Sequence, residues 1–229
     1  MTKPYYNEKG ITIYHEDCFL ISEELIAETE TVLSDPQYGI GFKTNAKRSR
    51  NDGGLNFAKH SPREIDRDPA WKPLKGNDRI PFDATRFLHF REVILWGGNN
   101  YALPPSRGWL VWDKLKDKTP THFGDCELAW TNIDMSIRIW RQLWRGMVRE
   151  GEENLSNGPK LHPCQKPVAL MQWCLGFSKC SGTVLDPQMG SGTTLLAAKR
   201  LGRPAIGIES EECHCETAAR RLRQEVLQL

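Results

Sequence analysis

Two stretches of this sequence place a carboxylate at the end of an apolar run and follow it with a turn: Ser34-Asp35-Pro36-Gln37-Tyr38, and Val184-Leu185-Asp186-Pro187-Gln188-Met189-Gly190-Ser191-Gly192-Thr193-Thr194. The second reads as a strand ending in Asp186, a turn through Gly190 and Gly192, and a helix opened by Thr193 and Thr194. Glycine lets a ligand approach the backbone closely, and the first turn of a helix offers unpaired N–H groups. A further carboxylate, Glu209, ends the next apolar run 17 residues after Gly192. There it can accept hydrogen bonds from both hydroxyls of a ribose, which makes the pair a nucleoside site. A G-x-G-x-x-G dinucleotide loop fails at Leu195, and a Walker loop fails because no lysine follows the second glycine. Asp186 suits an ammonium group and would repel phosphate. A purely structural turn is the plainer alternative.

Asp-Pro-x-Tyr alone is most often an ordinary turn. Beside a nucleoside site its chemistry narrows. The exocyclic amine of adenine or cytosine is a poor nucleophile because its lone pair is delocalised into the ring. The Asp35 carboxylate and the Pro36 carbonyl can accept its two hydrogens and favour a tetrahedral nitrogen, while the Tyr38 ring can stack on an extruded base.

The elements that must hold these groups are strands over 11–14, 31–34, 93–96, 109–112, 127–130, 183–186 and 205–209, with helices over 167–177, 193–201 and 211–227. Strands alternating with helices predict an α/β doubly wound, mostly parallel sheet. The runs at Trp109 and Glu127 lack room for a helix between them and predict an antiparallel hairpin at a sheet edge. Two segments are polar and irregular: a basic loop or small subdomain at about 43–82, and a linker at about 146–160. Length favours one domain over 1–229.

The chain carries 31 Lys and Arg against 29 Asp and Glu, so overall charge neither demands nor excludes a nucleic acid. Between Lys43 and Arg91, however, 12 Lys and Arg face 6 Asp and Glu, which points to a phosphate-binding stretch or a merely solvated loop. The seven cysteines are odd in number and irregularly spaced, which suits free thiols. No C-x2-C pair supports a metal site around Cys213-His214-Cys215. No apolar run is long enough to span a membrane and no signal peptide opens the chain, so a cytoplasmic protein is expected. The eight tryptophans read mainly as core; Trp140 and Trp144, spaced one helical turn apart with Arg141 and Arg145 adjacent, could face a nucleic acid or a second subunit.

These residues carry a family resemblance. DPQY resembles the Asp-Pro-Pro-Tyr motif of amino DNA methyltransferases, LDPQMGSGTT resembles their Asp-Pro-Phe-x-Gly-Ser-Gly-Thr loop, and His162-Pro-Cys-Gln-Lys-Pro167 resembles their His-Pro-x-Gln-Lys-Pro segment. Their order, with the catalytic motif before the cofactor loop, is similar to the permuted β class, and ILWGGNNY and GWLVWDK look like small phage and prophage members. The resemblance implies a seven-stranded methyltransferase sheet, S-adenosyl-L-methionine as cofactor, and DNA as partner, double-stranded and with a flipped base. A homodimer is conceivable and no metal is required.

Carried over by position, the resemblance gives Asp35, Pro36, Gln37 and Tyr38 the catalytic role. It assigns Asp186, Gly190, Gly192, Thr193 and Thr194 to the methionine end of the cofactor, Glu209 to the ribose, and Asp17 and Cys18 to the adenine. Gln165 and Lys166 close the site, Lys166 near the cofactor carboxylate. Lys43, Lys47, Arg48, Arg50, Lys59 and Arg63 line the phosphate path. Gln37 and Gln188 depart from the motifs, replacing a proline and an aromatic residue. An aspartate at position 35 favours adenine N6 over cytosine N4 as target. A non-catalytic nucleic-acid-binding protein and an RNA or protein-glutamine methyltransferase are the rivals.

Overall fold

The computed structural model describes residues 3–41, 78–116, 124–145, 148–150 and 164–224. Lys43, Lys47, Arg48, Arg50, Lys59, Arg63 and His162 lie outside them, as does most of the basic stretch at 43–82.

Among the described residues, nine strands form one mixed sheet and two more form a separate ribbon. In chain order they are β1 (Tyr6–Glu8), β2 (Ile11–His15), β3 (Thr29–Ser34), β4 (Glu92–Trp96), β5 (Gly108–Asp113), β6 (Cys126–Thr131), β7 (Arg138–Arg141), β8 (Trp144–Arg145), β9 (Val148–Arg149), β10 (Thr183–Asp186) and β11 (Ala205–Glu209). The helices are α1 (Glu23–Ile26), α2 (Val168–Leu175), α3 (Thr193–Arg200) and α4 (Glu212–Gln224). The sheet runs β1-β2-β11-β10-β3-β4-β6-β5-β7, parallel from β2 through β4 and antiparallel at β4-β6-β5.

The central strands are apolar on both sides because both faces are covered. In β3, Leu33 faces one core with Val184 of β10, Ile94 and Trp96 of β4, Leu170 of α2, Leu195 of α3 and Leu222 of α4. Its neighbour Val32 faces a second core with Leu185, Val93, Leu95, Ile21, Ile26 and the aromatic side chains of Phe82, Phe87 and Phe90. Adjacent residues thus serve opposite cores, as the two-residue period of a strand requires. β5 shows the same alternation, with Leu110 and Trp112 inward.

Three expectations need correction. The sheet has nine strands, not seven: the seven read from sequence form its continuous middle, and the short β1 and β7 add an edge on either side. The β5–β6 hairpin is antiparallel as expected but is not the edge, because β7 pairs with β5 in parallel. Trp140 and Trp144 lie on strands and not on one helix; Trp144 is buried against Trp112, their centroids 6.2 Å apart, and Trp140 packs on Trp173 at 5.6 Å. Of the segment read as a linker, Val148–Arg149 pairs with Trp144–Arg145, and 151–160 lies outside the described residues. No helix among the described residues is long and apolar enough to cross a membrane.

Candidate active site

Strand order dictates what the site contains. β3 and β10 are parallel neighbours, so the carboxylates that follow or end them emerge side by side at their carboxyl ends. Ser34, the last residue of β3, donates its hydroxyl hydrogen to Asp186 Oδ1 at 2.6 Å, tying the two strand ends together. The Gln188 N–H donates to the same oxygen at 3.2 Å. Asp186 is buried, and burial pushes its carboxyl up to about 6 despite these donors.

The loop after Asp186 folds back over the end of β11, with the Met189 N–H on the Ile208 carbonyl at 3.0 Å. Gly192 opens α3 with φ of 75°, and a Cβ there would fall 2.8 Å from the Ala218 side chain, so glycine is required on both counts. Arg221, buried on α4, donates to the Ser191 carbonyl at 2.7 Å and to Thr193 Oγ1 at 3.3 Å, fixing the loop from behind. Glu209 accepts the Gly190 N–H at 3.1 Å and the Glu211 N–H at 2.8 Å, which aims its carboxylate across the loop. Asp17 and Cys18 follow β2, which pairs with β11 so that His15 lies opposite Glu209. The Cys18 thiol is buried, bonds the Gln188 side chain, and is pushed up to about 12 by burial.

Asp35 stands opposite, across a cleft lined by Gln165, Lys166, Asp186, Gln188, Gly190 and Thr193. Its Oδ1 accepts the Tyr38 hydroxyl at 2.7 Å, and its Oδ2 meets Lys166 Nζ at 2.5 Å. Burial raises the Asp35 carboxyl above the usual range, Lys166 opposing it. The Tyr38 ring lies against Gly97, whose φ is 74°; a Cβ on Gly97 would sit 2.3 Å from the ring. The Pro36 carbonyl accepts the Tyr101 hydroxyl at 3.1 Å, which uses one of its two lone pairs.

The two departures from the motif touch each other. Gln37, not being proline, has an N–H, and Gln188 Oε1 accepts it at 3.1 Å. An aromatic residue at 188 would leave that donor without this acceptor, so each change accommodates the other.

Asp35, Asp186, Lys166, Gln165, Gly190 and the threonines therefore come together as expected, with Glu209 and Cys18 at the loop's far side. Lys166 is found against Asp35 and Glu127. Glu127, Lys114, Tyr101 and Arg221 were not anticipated. Lys114 closes the WDK that runs just past β5, and Glu127 is an acidic residue near the start of the largely apolar β6, a faint signal that only the pairing makes meaningful.

The fold belongs to a recognisable class. Its topology resembles that of two solved DNA methyltransferases: PvuII DNA methyltransferase, cytosine-N4-specific (TM-score 0.53, 14% identity, covering 96% of this chain and 89% of that one), and M1.HpyAVI in complex with SAM (TM-score 0.50, 20% identity, 93% and 98%). Residues 65–220 match the N6/N4 methyltransferase family model, described as DNA methylase, and the chain belongs to that family. The match includes the cofactor loop and begins after Asp35–Tyr38. Over almost its whole length the chain is similar to the type II methyltransferases M2.LlaDCHI of Lactococcus lactis subsp. cremoris (29% identity, 97% of this chain and 93% of the relative) and M2.DpnII of Streptococcus pneumoniae (27%, 98% and 94%).

The protein is thus a DNA methyltransferase of the amino class, and the similar M1.HpyAVI was solved in complex with S-adenosyl-L-methionine. The residues present fit that group: a buried carboxylate for an ammonium, a glycine cradle that a side chain would fill, and an oriented carboxylate for a ribose.

Proposed function

We propose that the chain methylates the N6 amine of adenine in double-stranded DNA, using Asp35, Pro36, Gln37 and Tyr38 on a base turned out of the helix. The observation that carries this reading is the half-buried Asp35, which faces the same cleft as the buried Asp186 from the neighbouring strand. S-adenosylmethionine supplies a methyl group on a positively charged sulfur. Asp186 and the loop from Gly190 to Thr194 orient its methionine end, Glu209 its ribose, Asp17 and Cys18 its adenine, while Gln165 and Lys166 close the cleft. The free acceptor positions of Asp35 and of the Pro36 carbonyl take the two amine hydrogens, turning the nitrogen lone pair towards the methyl carbon. The raised carboxyl of Asp35 suits it to receive the proton that the methylated nitrogen sheds.

The order of the motifs, Asp35–Tyr38 before Asp186–Thr194, supports the permuted β class, and the resemblance to small phage members supports a phage or prophage origin. Lys43, Lys47, Arg48, Arg50, Lys59 and Arg63 are the proposed backbone contacts, in a single cytoplasmic domain. Neutralising Lys47, Arg48 and Arg50 should reduce the slope of log affinity against log salt by about three if each meets one phosphate.

Asp35 supports adenine through the resemblance. Gln37 favours a second reading, cytosine N4, because its amide can donate to a ring nitrogen or carbonyl of the smaller base. Mass spectrometry of nucleosides from DNA of cells expressing the protein decides: N6-methyladenine is expected, N4-methylcytosine alone would replace the target, and neither would overturn the assignment.

A further inference from the structure

Both oxygens of Asp35 are already engaged in this structure, so an arriving amine must share or displace the donors that hold them. Asp35 Oδ1 receives the Tyr38 hydroxyl at 2.7 Å and its Oδ2 the Lys166 ammonium at 2.5 Å. Lys166 is buried and Asp35 and Tyr38 are half-buried beside it, so an arriving amine cannot be accommodated simply by releasing the ammonium to water. A buried ammonium separated from its counter-charge is costly, and so is a buried hydroxyl without an acceptor.

Glu127 supplies the missing partner. Its Oε2 lies 3.0 Å from Lys166 Nζ and 3.1 Å from the Tyr38 hydroxyl oxygen, so both donors already sit between two carboxylates. Tyr38 has a single hydroxyl hydrogen, and in turning it from Asp35 to Glu127 the ring need not move. Lys114 Nζ holds the other oxygen of Glu127 at 2.9 Å, which keeps Oε2 facing the pair. The antiparallel register of β5 and β6 makes this possible by placing Lys114, just past Asp113, beside the start of β6.

We infer that Glu127 is a positioning residue for methyl transfer: it receives the Lys166 ammonium and the Tyr38 hydroxyl when the target amine takes their places on Asp35. Two carboxylates and two ammonium groups leave the cluster neutral before and after the exchange. Glu127 remains charged throughout: burial alone would raise its carboxyl, but Lys166 and Lys114 bring it down to about 2. Two carboxylates this close are a poor device for stability, since apolar residues of similar size would avoid the desolvation. As a relay of hydrogen bonds around a third, transient partner the arrangement has a use.

The inference rests on the catalytic reading of Asp35, and the test separates the two. The charged and titratable groups facing Asp35 are Tyr38 on its own segment, Lys166 before α2, Glu127 on β6 with Lys114 behind it, Asp186 on β10, and Tyr101 after β4. Glu127→Gln keeps the shape and removes the charge, leaving Lys166 to lean on Asp35 alone. Its kcat at saturating S-adenosylmethionine should fall about tenfold to a hundredfold with donor affinity unchanged, and Glu127→Asp should recover part of the loss. The acid limb of its pH–rate profile should also move to lower pH, because the Glu127 charge is one of the influences raising Asp35. Wild-type kcat in Glu127→Gln, beside an inactive Asp35→Ala, would overturn the inference and leave Asp35 in place. So would a lowered kcat with an unmoved acid limb and reduced thermal stability, the signature of a merely structural role. An active Asp35→Ala would overturn the catalytic reading itself.

Discussion

The central parallel strands of this sheet bury polar clusters at both ends, and the two clusters are built on opposite terms. At the amino ends, Glu92 of β4 accepts the Lys179 N–H at 2.8 Å and the Ser178 hydroxyl, and Arg203 before β11 donates to the Gly182 carbonyl at 2.9 Å, Thr31 Oγ1 at 3.0 Å and Ser178 Oγ at 3.1 Å. Glu30 holds the Gly182 N–H at 2.7 Å. Burial by itself would raise the Glu92 carboxyl, but its hydrogen bonds from Ser178, Lys179 and Cys180 outweigh it and draw the carboxyl below its ordinary value. At the carboxyl ends, Asp35 and Asp186 are raised above theirs, burial outweighing the donors they have. A carboxylate drawn down by fixed partners stabilises the fold. One pushed up is under-satisfied until something else arrives, and such groups collect where ligands bind.

The contrast is testable from both ends. Asp35→Ala should reduce methyl transfer by more than about a thousandfold while S-adenosylmethionine still binds by calorimetry. Near-normal turnover would remove Asp35 from the chemistry. Glu92→Ala should do the reverse, costing about 2 to 3 kcal/mol in urea unfolding and leaving kcat unchanged below the transition. A change in kcat at undiminished stability would mean that the lower cluster is not merely structural.

Asp186→Asn sharpens the comparison within one residue. It should weaken S-adenosylmethionine binding about tenfold to a hundredfold and stabilise the ligand-free protein at pH 7 by about 1 to 2 kcal/mol, because a desolvated charge is removed. The pH dependence follows the same sign. With its carboxyl held at about 6 in the fold, the native state takes up this proton before the unfolded chain does. Its contribution to ligand-free stability therefore rises as pH falls from 7 to about 4, and donor binding weakens over the same range. Asp186→Asn should abolish the stability part of that response. The smallest effect is expected at the paired glutamines: Gln188→Phe leaves the Gln37 N–H without its acceptor, at a cost of about 1 kcal/mol, and Gln37→Pro should remove most of that cost in the double variant. Simple additivity would break the link between the two positions.

The sequence made one part of this architecture plain. The seven middle strands showed themselves as apolar runs, most plainly β3, β4 and β10, which are buried on both faces, and the Asp35 and Asp186 motifs because a turn at a strand end needs proline or glycine locally. β1 and β7 were hidden for the converse reason: such short edge strands owe their form to the strand they pair with, and the spacing of Trp140 and Trp144 mimics a helix. Glu127, Lys114 and Arg221 were illegible as site residues because their partners are distant in the chain. Residue 127 meets residue 38 only through the order β3-β4-β6, and residue 221 meets 191 only once α4 packs behind the glycine loop.

The short bond from Ser34 to Asp186 joins the two halves of the site to which different ligands are assigned in the proposed function. Ser34 directly precedes Asp35, so an adjustment of Asp186 around an ammonium is passed through one hydroxyl to the backbone that carries the base acceptor. Linkage then makes the communication reciprocal. Whatever factor S-adenosylmethionine exerts on the affinity for DNA, DNA must exert on the affinity for S-adenosylmethionine, a ratio that titrating each with and without the other measures directly. Ser34→Ala, which cuts the connection while sparing both carboxylates, should bring that factor closer to unity.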